Sequence, residues 1–277
     1  MTMQPLTSRD FYDRQAALYE VMNDWPSRLS LELPFIRRAL EQARARTVLD
    51  VACGSGHHAI ALAREGYETS GADISAAMIA QARLNAARAN VSIRFEPAGF
   101  ADLAQFAPQA FDAVLCLGNS LPHALTEADQ LAALTAMRER LRAGGALVLQ
   151  NLNYDLRWKN RPRFFAINSA TLDGRTVLIW RMADYHDPGA HVAGLDGPCP
   201  EPGLITFHIA AIEQDAREAG KWQAEVKSTL QHPLFASDLT RWLAQVGFKD
   251  VRVFGGMEGG TFDPDSSSDL VIVARKT

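Results

Sequence analysis

The stretch Thr47–Ala59, TVLDVACGSGHHA, constrains this chain more than any other. An apolar β-branched run ends in Asp50, Gly54 and Gly56 follow two residues apart, and a small-residue segment begins at His57. A strand that meets glycines and then a helix leaves backbone amides and carbonyls facing a ligand with no Cβ in the way. The stretch therefore predicts a parallel α/β fold with a nucleotide seat at the end of its first strand.

Glycine spacing alone does not name the nucleotide, because Gly54-Ser55-Gly56-His57-His58-Ala59 also fits a dinucleotide loop with alanine in last place. Asp73 closes a second strand, Tyr67–Asp73, about twenty residues after the first glycine, the usual place of a ribose-diol acceptor in either case. Asp50 separates the two readings. A pyrophosphate binder has no use for a carboxylate at the mouth of the loop. S-adenosylmethionine carries no phosphate, but it has an ammonium and a sulfonium that a carboxylate attracts. The plainer alternative for Asp50 is a helix cap or a loop hydrogen bond.

Val48 to Gly56, Asp73 and Cys116-Leu117-Gly118-Asn119-Ser120-Leu121-Pro122-His123 together resemble the class I S-adenosylmethionine-dependent methyltransferases. The Leu-Gly-Asn-Ser stretch with its histidine, and the later Asn153-Tyr154-Asp155, narrow the resemblance to the glycine N-methyltransferase branch. It implies an α/β, Rossmann-like methyltransferase fold: a seven-stranded, mostly parallel sheet with an antiparallel last strand, plus an inserted antiparallel β-sheet lid. The implied layout is a helical lid at 1–44, a cofactor-binding half at 45–152, an inserted substrate lid at 153–234, and a closing helix and hairpin at 235–277.

The same resemblance implies a site. Arg28, in Asn23-Asp24-Trp25-Pro26-Ser27-Arg28, matches the arginine that holds the methionine carboxylate, and a planar guanidinium suits that bidentate task. Asp50, Ala52, Gly54 and Gly56 form the loop, Asp73 and Ile74 the ribose end, and Met78, Gly99 and Phe100 the adenine surround, with Leu117 and Ser120 completing the cofactor set. Relatives often present a polar side chain to the adenine amino group; Gly99 offers only its backbone there, and Phe100 a stacking face. Asn119, His123 and Tyr154 surround the reacting centre. Plainer readings stand beside these: a solvated Arg28, a core-packing Met78, a structural His123, and Tyr12 and Tyr19 as core aromatics.

Along the chain, Ser8 to Leu40 reads as two helices, and 75–89 and 127–141 as helices alternating with strands at 91–95, 111–117 and 146–151. Arg175–Tyr185, Leu204–Glu213 and Trp222–Leu230 read as three inserted strands, and the glycine- and proline-rich His186–Gly203 as a mobile connection. Ser237 reads as the cap of a helix to Val246, before two last strands.

A chain of 277 residues, 47% of them hydrophobic, can bury a substantial core. A net charge of −4 without a basic stripe argues against a nucleic-acid partner. Three dispersed cysteines suit a reducing compartment, and no metal-ligand spacing stands out. With no signal-peptide pattern and no apolar run of membrane-spanning length, a cytoplasmic protein without a membrane partner is expected. The oligomeric state, homo-oligomer included, stays open.

Methyl transfer from a sulfonium needs an acceptor with a free lone pair and good positioning. A small-molecule amine is the expected acceptor, with a hydroxyl as the close variant and one of His186, His208 or His232 as its base. Where the glycine N-methyltransferase branch has an arginine for the glycine carboxylate, this chain has Leu152. Unless Arg157, Arg161 or Arg163 reaches in, a larger or less polar amine than glycine is expected. A nicotinamide-dependent oxidoreductase and a cofactor-binding protein without turnover are the competing functions.

Overall fold

The computed structural model describes residues 4–107, 110–214 and 221–277. Three helices come first, α1 (Ser8–Asp13), α2 (Ala16–Met22) and α3 (Trp25–Gln42), one more than expected because the chain breaks at Arg14 and Gln15. Thr7 caps α1 by accepting from Asp10 N. Asp24 caps α3 by accepting from Ser27 N, with Pro26 in the first turn, where no amide is missed.

Strands and helices then alternate: β1 (Thr47–Val51), α4 (His57–Arg64), β2 (Glu68–Asp73), α5 (Ala76–Arg88), β3 (Arg94–Pro97), β4 (Phe111–Cys116), α6 (Glu127–Arg140) and β5 (Leu141–Leu152). Ser75 caps α5 through Met78 N, as its position predicts. β3 starts later than expected, at Arg94. β5 is longer than the strand expected at 146–151 and carries a register irregularity around Gly144 and Gly145, where Phe111 pairs with Leu141 but Ala113 with Ala146.

After α7 (Tyr154–Asn160) come β6 (Asn168–Leu172), β7 (Arg175–His186), β8 (Leu204–Gln214) and β9 (Trp222–Gln231), then α8 (Ala236–Gln245), β10 (Phe248–Phe254) and β11 (Asp269–Lys276). The short β6 is an addition to the three inserted strands expected. Phe235, not Ser237, is the N-cap residue of α8. Asp155 Oδ2 accepts from Ala236 N at 3.0 Å, so a carboxylate from α7 does the capping.

The main sheet runs β10-β11-β5-β4-β1-β2-β3, with β1 parallel to β2 and β4, β5 parallel to β4, and β11 antiparallel to both β5 and β10. Both faces are covered. Leu49, Val51, Val114, Cys116, Leu147 and Leu149 fill a core on one side, and Val48, Ala113, Leu115 and Val148 fill one on the other beneath α3. That two-sided burial is why these strands read as unbroken apolar runs rather than alternating ones. The strand order reverses direction between β1 and β4, and the crevice beyond their carboxyl ends is where a ligand is expected in such sheets.

The second sheet, β6-β7-β8-β9, is antiparallel throughout. Val177, Ile179 and Ile209 pack its inner face against Phe11 and Leu18 of the N-terminal helices. The 187–203 connection, expected to be mobile, buries Val192 and Cys199 with Leu204 and Leu230 and closes on itself through a His191–Pro198 bridge. No helix among the described residues is long and apolar enough to cross a membrane.

Candidate active site

Two cavities open beyond the strand ends, and Tyr12, Tyr19 and Gly118 line both. The first, about 490 Å³, is bounded by Ala52, Gly54, Asp73, Ile74, Met78, Gly99, Phe100, Ser120 and His123. The second, about 390 Å³, is bounded by Arg28, Asn119, Tyr154, Arg157, Arg181, Tyr185, Phe207 and Gln231. The loops after β1 and β4 form the divide, and both turn through left-handed backbone: Ala52 (φ 58) and Gly54 (φ 55) in one, Gly118 (φ 71) and Asn119 (φ 64) in the other. A Cβ on Gly118 would stand 3.3 Å from the Arg28 guanidinium, so a glycine here lets that side chain lie over the loop.

In the first cavity Asp73 is held by two backbone amides, Gly54 N to Oδ2 at 2.8 Å and Ser75 N to Oδ1 at 2.9 Å. Burial pushes its carboxyl up to about 6 against the lowering effect of those bonds. Asp50 is 2% exposed and does not line the cavity; its Oδ2 has no hydrogen-bond partner among the described residues. Burial, and then the charge of Asp73, push the Asp50 carboxyl up to about 8. Asp102 lines the far end, where its Oδ2 accepts from Gly99 N at 3.1 Å. It puts a polar side chain beside Gly99, which has none, and its place three residues into a helical turn was the available signal for it.

Of the expected cofactor residues, Gly56 and Leu117 also stand away from the cavity. A Cβ on Gly56 would come within 2.8 Å of Phe95 Cζ, so this glycine serves close packing of α4 on the sheet, and Leu117 belongs to the core under α3. Arg28 faces the second cavity. It bonds Glu32 through Nε at 3.0 Å, and Glu32 in turn bonds the buried His58 at 2.5 Å.

Asn119 and Tyr154 are brought together. Asn119 Nδ2 donates to Tyr154 Oη at 2.9 Å, Leu152 N donates to Asn119 Oδ1 at 3.1 Å, and Tyr154 Oη donates to Gln231 Oε1 at 3.1 Å. Gln231, from β9, had no sequence signal. His123 lies 3.1 Å through Nε2 from Tyr12 Oη, and burial pulls its ring down to about 4, so it is neutral near pH 7. His186, His208 and His232 line neither cavity; they bond Thr206, Ser228 with Asp184, and Gln130 with the Glu201 carbonyl. Of the three arginines considered against the loss at Leu152, only Arg157 lines the second cavity. Arg161 pairs with Asp187 and Arg163 with Asp184. No cluster of metal-ligating side chains exists among the described residues.

The residues present fit a nucleoside bearing a cation. Asp73, fixed by two amides, keeps lone pairs that suit a diol, and Asp50 keeps one buried carboxyl oxygen unpartnered behind the loop, where a nearby cation would favour its anion. Fold and site define a class I methyltransferase that uses S-adenosylmethionine. Residues 48–145 match the family model described as a methyltransferase domain. The chain is 39% identical over 256 residues to the glycine/sarcosine N-methyltransferase of Parasynechococcus marenigrum, covering 92% of this chain and 80% of that protein. It is 26% identical to the enzyme of the same name from Aphanothece halophytica, over 93% of this chain and 86% of that one. This chain therefore belongs to the S-adenosylmethionine-dependent methyltransferases, in their glycine N-methyltransferase-like branch. Among solved structures, an S-adenosylmethionine-dependent methyltransferase from Clostridium acetobutylicum superposes with a TM-score of 0.72 at 14% identity, over 96% of this chain and 98% of that one. A sugar N-methyltransferase from Streptoalloteichus superposes with a TM-score of 0.68 at 22% identity, over 100% and 94%. Both share the fold.

Proposed function

We propose that this methyltransferase transfers its methyl group to the nitrogen of a small amine held in the second cavity. The observation that carries this reading is the shared wall. Tyr12, Tyr19 and Gly118 border both cavities, so a methyl presented across that wall meets an acceptor held by Asn119 and Tyr154.

Bound S-adenosylmethionine supplies an already activated methyl on a positively charged sulfur. In this reading Asp73 holds the ribose, Arg28 holds the carboxylate end, Asp50 balances the ammonium from behind the loop, and Ile74, Met78, Phe100 and Asp102 enclose the base. Asn119, Tyr154 and Gln231 form one bonded row that fixes where the acceptor sits, which is the contribution such a displacement needs most. An amine must be neutral to attack, and the aromatic wall of Phe11, Tyr12, Tyr19, Phe165, Tyr185 and Phe207 favours loss of its proton by excluding water. His123, kept neutral by burial, fixes the Tyr12 ring on the shared wall through its bond to the tyrosine hydroxyl.

Among the described residues no histidine of the lid lines the second cavity, which weighs against the hydroxyl variant and its need for a base beside the acceptor. The names of the relatives support a small amino acid over a phenol or sugar alcohol. The test is a turnover screen of amino acids, biogenic amines, amino sugars and phenols that follows S-adenosylhomocysteine. Turnover confined to amines supports the reading, and turnover confined to phenols or alcohols refutes it.

A further inference from the structure

We infer that Arg181, on the inserted sheet, is the residue that selects the acceptor, by holding a carboxylate on it. The inference rests on the amine-methylating reading and extends it to a substrate class, a small amino acid with a free carboxylate.

Arg181 stands on the inner face of β7, in register with Ile209 of β8 and two residues from Ile179 and Ala183. Ile179 is 1% and Ala183 3% exposed, so a guanidinium interrupts an otherwise apolar buried stripe. Its Nε is buried without a hydrogen-bond partner, and the side chain forms no ion pair among the described residues. Burial pulls the group down from its ordinary value, with only the neighbouring Tyr19 opposing. A desolvated, partnerless cation is costly unless a ligand completes it.

The balance of charge in the cavity says what that ligand is. Three guanidiniums line it, Arg28, Arg157 and Arg181, and Glu32 is the one carboxylate among its described lining residues. Glu32 is already shared by Arg28 and His58. Arg157 lies over the Phe165 ring, 5.1 Å from its centroid, and beside the Tyr185 hydroxyl. Of these three, Arg181 alone has no hydrogen-bond or ion-pair partner for its side chain among the described residues, and its planar fork matches a carboxylate. It comes from the lid, so the loss of the strand-end arginine at Leu152 leaves the pocket able to take an acid from the opposite wall. The acceptor nitrogen then lies toward Asn119 and Tyr154, which line the same cavity.

The test uses the full-length protein in two arms. In the first, acetate is titrated calorimetrically into the protein saturated with S-adenosylhomocysteine. Wild type and Arg157→Met bind it, Arg181→Met does not, and Arg181→Lys recovers part of the affinity. In the second, sarcosine is compared with sarcosinamide. Arg181→Met raises KM for the acid on the order of 10- to 100-fold, leaves KM for the amide unchanged, and changes kcat little. The thermal midpoint of Arg181→Met stays at or above the wild-type value, because no native pair is broken, so a loss through unfolding is recognised. Wild-type acetate binding in Arg181→Met, or a wild-type protein indifferent to the carboxylate, overturns the assignment while amine methylation stands. Arg181-dependent acetate binding with no turnover of any amine supports the assignment and refutes the amine reading.

Discussion

Asn119 and Tyr154 hold each other: the asparagine at the end of β4 donates through Nδ2 to the tyrosine hydroxyl at the start of α7, 2.9 Å away. The bond ties two strand ends into one rim, and Leu152 N, donating to Asn119 Oδ1, leaves the carboxamide a single orientation. One Nδ2 hydrogen remains for a bound molecule.

Tyr154→Phe removes the acceptor of Asn119 and the donor of Gln231 together, leaving two buried polar groups short of partners. Loss of such a bond is worth about 1–3 kcal/mol, so kcat/KM for the amine falls roughly 5- to 150-fold. Cofactor affinity, measured by calorimetry, stays within a factor of about three, since Tyr154 lines only the second cavity.

Asp73→Ala weakens S-adenosylmethionine binding by about 1.5–3 kcal/mol through the lost charged hydrogen bonds, and frees the Gly54 amide it now holds. Equilibrium titration reads the change. Wild-type affinity in this variant contradicts the ribose assignment.

Asp50 gives a proton signature. Its carboxyl lies at about 8 in the ligand-free protein, so it is mostly protonated at pH 7, and an incoming ammonium requires the anion. Binding therefore releases close to one proton at pH 7, and affinity rises with pH until about 8, then levels. Calorimetry in buffers of differing ionisation enthalpy measures the release, which Asp50→Asn abolishes. The folded pKa also lies above the unfolded one, so the folded chain binds the extra proton between about pH 4 and 8, and stability falls as pH rises through that window. Asp50→Asn is accordingly more stable than wild type at pH 8 without ligand.

Much of this was legible in the sequence. Continuous apolar runs gave away strands buried on both faces, and the strand-to-glycine junction at Asp50–Gly56 marked the loop whose Ala52 and Gly54 border the first cavity, because those signals are local. The acceptor cavity was not legible in the same way. Arg181 and Gln231 lie on strands of the inserted sheet, and only the pairing of β8 with β7 and β9 brings them into one cavity with Asn119 and Tyr154. An arginine two residues from Ile179 looks like an ordinary edge charge until the inner face is known. Gly56 shows the converse: its motif position suggested ligand contact, while its packing shows service to Phe95.

Phe95 presses on a second glycine, Gly71, where a Cβ would come within 2.5 Å of its ring and 2.9 Å of Cys53 Sγ. Gly71→Ala overpacks this contact and costs about 1–3 kcal/mol, seen as a fall of several degrees in thermal midpoint. Truncating the ring as well, in Gly71→Ala with Phe95→Leu, recovers part of the loss.

The most direct test of the central claim is to supply S-adenosylmethionine labelled with carbon-13 in its methyl group, together with sarcosine, and to read the product by nuclear magnetic resonance. The account predicts label on the amine nitrogen and one S-adenosylhomocysteine formed for each methyl transferred. Label on an oxygen, or saturable cofactor binding with no labelled product from sarcosine or any other amine offered, contradicts it.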